Sequence, residues 1–188
     1  MRGVLLILLC LVITASAQTK QSSTANPRTV RDFFNLLPQN YFPIISCKVQ
    51  SDKNCDKARR EYLKNYLIVE DTANGYMKGG CDGGQKCFVM ALFRRPSSSR
   101  TSRSYIVGLN TWDEFGEETY FLEYSNGEWR DIGKEVVPEY NKERKAYELP
   151  RYGTTIEVYE LKSDEIGNKR SRKLYDLIWK EGKFSIKK

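Results

Sequence analysis

The spacing of apolar residues changes along the chain, from helical spacing before about residue 66 to strand-like alternation after it. The clearest alternation covers residues 119–132, where apolar and polar positions alternate up to Asn126-Gly127. Alternation around Asn-Gly predicts a hairpin with a tight primed turn, because both turn residues must accept positive φ. Residues 174–186 repeat the pattern with Gly182 at the turn, which predicts a second hairpin.

Further strands are predicted at residues 67–69, 88–93, 105–109 and 154–159. The segments 88–93 and 105–109 are apolar at successive positions, which predicts central strands covered on both faces. The short spacing between strands favours antiparallel pairing. Residues 112–118 are interpreted as a loop between strands, and the segment between Pro138 and Pro150 as a connection.

Two helices are predicted before the strands. Thr29 and Asp32 match a capping box at the start of the first helix, and Pro38 ends it. The second helix is predicted from about residue 51 to 65, with Arg59 and Arg60 on its solvated face. The fold class is therefore α+β, a mainly antiparallel β meander (curved sheet, barrel or sandwich) with two N-terminal helices.

The N-terminus predicts export. A basic start, an apolar run and the small residues Ala15-Ser16-Ala17 indicate a signal peptide over residues 1–17, cleaved after Ala17. Residues 18–28 are expected to form a flexible tether and residues 29–188 a single β-rich domain. No transmembrane segment is expected, so the predicted location is secreted or periplasmic.

Four cysteines remain after this cleavage: Cys47, Cys55, Cys81 and Cys87. In an exported chain they imply disulfides, with three connectivities open. Pairing within Cys47–Cys55 and within Cys81–Cys87 is favoured, because each pair flanks a short polar loop. Their spacing fits neither a zinc site nor a redox dithiol, so no metal and no cofactor are expected.

The sequence contains no histidine, which excludes Ser–His and Cys–His catalysis and histidine metal ligands. The acidic residues that follow Trp112 are the one group of side chains suited to acid–base chemistry: Asp113, Glu114, Glu117 and Glu118. The alternative function is therefore a histidine-free polysaccharide hydrolase with Asp113 and Glu118 as paired carboxylates.

The net charge of +7 and two basic segments, interpreted as loops at residues 94–103 and 169–173, favour an anionic partner, either an unknown protein or an anionic envelope polymer. Nucleic acid is not expected, since aromatic and basic residues do not interleave and the chain is predicted to be exported. Basic loop tips that merely keep strand ends soluble are the competing interpretation. The predicted partner-binding residues are Arg94, Arg95, Arg100, Arg103, Lys169, Arg170 and Arg172.

Residues 74–78, 81–85, 91–93, 105–107 and 148–155, with the two hairpin segments, resemble an uncharacterised family of exported bacterial β-rich proteins. The likeness extends from about residue 29 to the end and depends on turn and core residues. It implies export and a β-rich domain, and it implies no activity or site.

The expected function is an exported, non-enzymatic binding or interaction domain, either an inhibitor or an envelope accessory protein. The hydrolase is the first alternative, and a purely structural envelope protein is the second.

Overall fold

The computed structural model describes residues 27–44, 47, 53–96, 104–164 and 167–187. It confirms an α+β fold of antiparallel sheets with a few short helices. The predicted signal peptide and most of the predicted tether lie outside the described residues. The elements, in chain order, are α1 Val30–Leu36, α2 Lys53–Tyr66, β1 Leu67–Asp71, β2 Tyr76–Gly79, β3 Cys87–Arg94, β4 Tyr105–Asp113, β5 Gly116–Ser125, β6 Glu128–Asp131, α3 Gly133–Val136, β7 Lys145–Glu148, β8 Thr155–Asp164, β9 Gly167–Lys180 and β10 Lys183–Lys187.

The strands form two antiparallel sheets. The first is a meander of six strands in the order β1-β2-β3-β4-β5-β6, and the second has four strands in the order β10-β9-β8-β7. Residues of both sheets share one apolar core, so the two sheets pack face to face as a sandwich.

The first sheet is the middle of three layers. On one face, the side chains of β2–β5 pack against α1, α2 and the segment around Phe42. On the other face they pack against the second sheet and α3. This confirms that β3 and β4 are central strands covered on both sides, and it explains their uninterrupted apolar sequence.

The capping box of α1 is confirmed. The Thr29 hydroxyl accepts from the Asp32 backbone N–H at 3.1 Å, and the Asp32 carboxylate accepts from the Thr29 N–H at 2.9 Å. Burial works against the charge on Asp32, but the hydrogen bonds that its carboxylate accepts from the backbone N–H groups of Arg28 and Thr29 prevail and lower the pKa of its carboxyl. The helix begins where the sequence predicts because both polar groups are satisfied locally.

Arg59 is a correction to the predicted solvated face of α2. Its side chain is 3% exposed, and its guanidinium donates to the backbone carbonyls of Phe34, at 3.0 Å, and Leu37. These carbonyls lie at the end of α1, where a helix has no internal donors left for them. Arg59 therefore joins the two helices, whereas Arg60 is exposed as predicted.

Both predicted hairpins have primed turns. Asn126 and Gly127 have φ of 52° and 85°, and Glu181 and Gly182 have φ of 51° and 87°. The aromatic pair Tyr124 and Trp129 faces across the first hairpin, and Trp179 and Phe184 face across the second. Cross-strand aromatic contacts of this kind help to fix the register of each hairpin.

Three predicted loops are partly strand. Residues 112–118 contain the ends of β4 and β5 around a tight turn at Glu114 and Phe115, and β7 lies within the predicted 138–150 connection. The basic segment at residues 169–173 belongs to β9. Its positive charges are tolerated in a strand because Arg172 and Lys173 pair with Glu160 and Glu157 of the adjacent β8.

The predicted local disulfides, Cys47–Cys55 and Cys81–Cys87, are confirmed, with Cα–Cα distances of 4.8 and 4.5 Å. Within the described part of the chain, no helix combines the length and the apolar character that a bilayer span requires.

Candidate functional site: a polar cleft between the sheets

A cleft of about 370 Å³ opens between the two sheets, at the end of the sandwich near the β4–β5 turn. We call it the inter-sheet cleft. Its volume lies near the lower end of the roughly 300–1,000 Å³ typical of small-molecule sites. Its lining residues come from six strands (β2, β3, β4, β5, β7 and β9) and the residue after β7: Tyr76, Lys78, Val89, Asn110, Trp112, Asp113, Gly116, Glu117, Glu148, Leu149, Asn168 and Arg170.

Strand alternation explains why polar side chains line this cleft. On β4, the positions facing the second sheet are Ile106, Gly108, Asn110 and Trp112, so the face changes from apolar to polar along one strand. Glu117 lies opposite Trp112 on the adjacent β5 and faces the same way. The missing side chain of Gly108 lets Leu149 pack directly on β4, because an added Cβ would lie 2.9 Å from Leu149 Cδ2.

An ion-pair network forms one wall. Arg170 donates from Nε and Nη2 to the two oxygens of Glu117, at 3.0 and 2.7 Å, and from Nη1 to Glu148 at 3.0 Å. Such a bidentate pair fixes the orientation of the guanidinium. Burial opposes the charge on Arg170, but the hydrogen bond to Glu117 and the attraction of both carboxylates prevail and raise its pKa. The network therefore holds β5, β7 and β9 together.

Asn110 lies at the floor of the cleft and is 2% exposed. Its Nδ2 donates to Glu117 Oε1 and, at 3.3 Å, to the backbone carbonyl of Tyr147. Its Oδ1 is buried and accepts no hydrogen bond from any described residue. A buried carbonyl without a donor carries a cost in stability, so this acceptor is suited to a ligand donor or an ordered water.

Lys78 reaches the cleft from β2, where its backbone pairs with Val69 on one side and Val89 on the other. The side chain is partly buried, and among the residues that the structure describes it has no carboxylate or hydrogen-bond partner. A cation in this position retains its attraction for an incoming anion.

Trp112 differs from the other two tryptophans. Trp129 and Trp179 donate their indole N–H groups to the backbone carbonyls of Leu36 and Arg94, at 2.8 and 2.9 Å. The indole N–H of Trp112 has no acceptor in the described ranges, although the ring is partly buried in the cleft lining. Trp129 and Trp179 therefore join elements together, whereas Trp112 keeps a free donor beside the cleft.

The predicted catalytic pair is not brought together. Asp113 accepts from the backbone N–H groups of Phe115 and Gly116, at 2.9 and 3.2 Å, and its carboxylate lies 3.3 Å from Lys86. Glu118 is absent from the cleft lining. It accepts from the Tyr120 hydroxyl at 3.0 Å and lies 3.8 Å from Lys142.

The first basic segment lies at the opposite end of the sheet from the cleft. Arg94 ends β3 and is exposed, while Arg95 forms an ion pair with Glu123. Arg100 and Arg103 lie outside the described residues. The segment therefore does not join the cleft residues in one surface.

The second basic segment, residues 169–173, is divided by a register shift between β8 and β9, where Leu161 pairs with Arg170 and Tyr159 pairs with Lys173. Arg170 lines the cleft within the network described above, whereas Arg172 is 74% exposed and lies 3.4 Å from Glu160. Lys169 is exposed near the β8–β9 tip. Of the predicted partner-binding residues that are described, only Arg170 contributes to the cleft lining.

The glycine loop between Cys81 and Cys87 is a turn organised by Asp82. One carboxylate oxygen accepts from the N–H groups of Gly84 and Gln85 at 3.0 and 2.8 Å, and the other accepts from the Tyr66 hydroxyl at 2.5 Å. The bond from Tyr66 and the backbone N–H groups lower the pKa of the Asp82 carboxyl. The described residues contain no group of three or more metal-ligating side chains.

Sequence reasoning did not single out Lys78 or Asn110 as site residues. One signal was present: Asn110 interrupts an apolar central strand at an inward-facing position, where an amide is uncommon. The partners of Arg170 could not be identified, since Glu117 is 53 residues away in the sequence.

Comparison with known proteins gives no relative: no family model, curated protein or solved structure matches this chain. Function is therefore inferred from the chemistry of the cleft.

Proposed function

We propose that this protein is an exported, non-enzymatic binding domain that recognises an anionic partner at the inter-sheet cleft. The observation that carries the proposal is that Lys78 has no partner among the described residues, whereas the other charged groups of the cleft are paired. Arg170 is satisfied by Glu117 and Glu148, and Asp113 lies beside Lys86. Lys78 is thus the cleft cation whose charge remains for a partner.

The same pairing argues against the hydrolase. A glycosidase needs one carboxyl that stays protonated as the acid and a second that attacks or activates water. Glu117 and Glu148 are held by Arg170, and Asp113 accepts two backbone N–H groups beside Lys86. Glu118, the second residue of the predicted pair, lies outside the cleft lining. Binding accounts for the cleft without a reaction, and it fits an inhibitor or an envelope accessory protein.

The test is binding of defined polyanions to the purified protein and to a pair of charge-matched variants. Lys78→Gln removes the cleft cation, and Lys64→Gln removes an exposed lysine from α2, on the other side of the first sheet. Polygalacturonate, polyglutamate and dextran sulfate serve as probes, with neutral dextran as the blank.

We expect at least one polyanion to bind, with an affinity that falls as salt is added. Lys78→Gln should weaken this binding about tenfold or more, the value of one charge-assisted contact, while Lys64→Gln leaves it unchanged. If both variants lose the same affinity, the effect comes from the net charge alone, and the cleft is not the binding site. If none of the three polyanions binds at low salt, the proposed function is refuted.

A further inference from the structure

We propose that the ligand of the inter-sheet cleft is an acidic sugar: a pyranose ring that carries a carboxylate, as in a uronic acid. This inference rests on the proposed function and specifies its ligand class. It follows from which groups in the cleft lack a partner and from the charge balance of the lining.

The charge balance excludes a densely charged ligand. Two cations, Lys78 and Arg170, and three carboxylates, Asp113, Glu117 and Glu148, line the cleft. The lining is therefore slightly negative, even though one of its cations is unpaired. A phosphate or a run of sulfates would meet more repulsion than attraction here, whereas a single carboxylate can reach Lys78 without a second charge near the acidic wall.

The unpaired groups match the arrangement of polar groups on an acidic sugar. Lys78 and the Trp112 indole N–H are donors, suited to a carboxylate. Asn110 Oδ1 is a buried acceptor without a donor, and the carboxylate oxygens of Glu117 and Glu148 can accept more than one bond. An acceptor-rich wall favours a ligand with several neighbouring O–H donors, which a sugar ring provides, whereas a peptide offers one backbone N–H per residue.

The size and the aromatic lining agree with this class. A volume of about 370 Å³ holds a sugar-sized ligand and excludes a folded domain. Trp112 also offers a ring face, and aromatic rings commonly pack against the C–H face of a pyranose. An acidic peptide would use the lysine, but its backbone N–H donors are spaced one residue apart, whereas the hydroxyls of a pyranose lie on neighbouring ring carbons.

The experiment follows the three indole N–H signals by ¹H–¹⁵N NMR while oligogalacturonate is added to the protein. The signal that is lost in Trp112→Phe identifies the cleft, and the signals of Trp129 and Trp179 are internal references because their N–H groups are bonded within the fold. Parallel titrations use neutral oligogalactose, glutamate oligomers and dextran sulfate.

We expect oligogalacturonate to shift the Trp112 signal selectively and to bind at least about tenfold more tightly than the other three probes. Lys78→Gln should abolish this preference over oligogalactose. Glutamate oligomers that bind as tightly, or dextran sulfate that binds more tightly, would overturn the sugar assignment while the proposed function stands. If none of the anionic probes binds, both proposals fail.

Discussion

The side of the first sheet that meets the second sheet has two halves of opposite character. In one half, Phe93, Ile106 and Phe121 pack against Tyr147 and Phe184, and all five side chains are at most 5% exposed. We call these residues the sealed half. In the other half, the same strands present Asn110, Trp112 and Glu117 to an open cleft. Backbone pairing is continuous between β4 and β5 through both halves, so the difference lies in the side chains.

This difference separates stability from recognition within one sheet. Apolar burial contributes free energy of folding in the sealed half, where rings contact at centroid distances such as 5.4 Å for Phe121 and Phe184. The inter-sheet cleft contributes less free energy of folding, because its side chains are polar and some have no partner among the described residues. Each buried polar group without a partner lowers stability. The fold tolerates this loss of stability because the sealed half holds the same strands in place. Substitutions in the sealed half should therefore lower stability more than substitutions in the cleft.

The largest expected effect is at the sealed half. Phe121→Ala should lower the free energy of unfolding by about 3–5 kcal/mol, because it removes a fully buried ring of the first sheet that contacts Tyr147 and Phe184 of the second. Urea denaturation followed by circular dichroism measures the change. A loss below about 1 kcal/mol would show that the sealed half is not where the stability of the sandwich resides.

High pH should destabilise the protein through Tyr147, a buried tyrosine of the sealed half. Burial raises the pKa of Tyr147 above the ordinary value of 10.0. The fold therefore favours the neutral phenol, and the stability contributed by this group is complete below pH 10 and is lost as the pH rises above it. Unfolding free energy should fall by about 1.4 kcal/mol per pH unit for each such tyrosine.

The measurement is a series of urea titrations between pH 8 and 11.5, with tyrosinate absorbance at 295 nm recorded in parallel. Tyr147→Phe is the control, and its stability should fall less steeply above pH 10. An unchanged slope in this variant would assign the alkaline loss to other groups.

An intermediate effect is expected at the wall of the cleft. Glu117→Gln should destabilise the protein by about 1–2 kcal/mol, because Arg170 loses its bidentate carboxylate and keeps Glu148 alone. Glu160→Gln is the matched control, since its pair with Arg172 is exposed and should contribute less than about 1 kcal/mol. Chemical denaturation of both variants makes the comparison, and equal losses would mean that the network is no stronger than a surface pair.

The smallest effect compares two tryptophans. Trp179→Phe should cost about 1 kcal/mol more than Trp112→Phe, because it removes an indole N–H bonded to the Arg94 carbonyl at 2.9 Å. Trp112→Phe should change stability by less than about 0.5 kcal/mol, since its indole N–H has no acceptor among the described residues. Thermal unfolding of both variants tests the order, and a reversed order would indicate that Trp112 has a structural role.

Much of the fold could be predicted because the signals are local. The capping box at Thr29, the primed turns at Asn126 and Glu181 and the local disulfides each depend on residues within a few positions of one another. The predictions that were wrong concern strands within polar segments, such as β7 and the basic part of β9, and contacts over longer distances. Arg59 was assigned to solvent because helical spacing cannot show that the end of α1 would lie against it.

The sequence by itself determined most of the elements, the antiparallel pairing of neighbouring strands and the absence of histidine from the candidate chemistry. Alternation, capping and turn residues act through the backbone over a few residues, so a linear pattern is sufficient. The tertiary structure alone decided which charges are neutralised. It placed Arg170 against Glu117 and left Lys78 and Asn110 Oδ1 without partners in the described chain. Those pairings depend on how the two sheets meet. The attraction between two charged side chains depends on their distance in space, and spacing along the sequence does not give that distance.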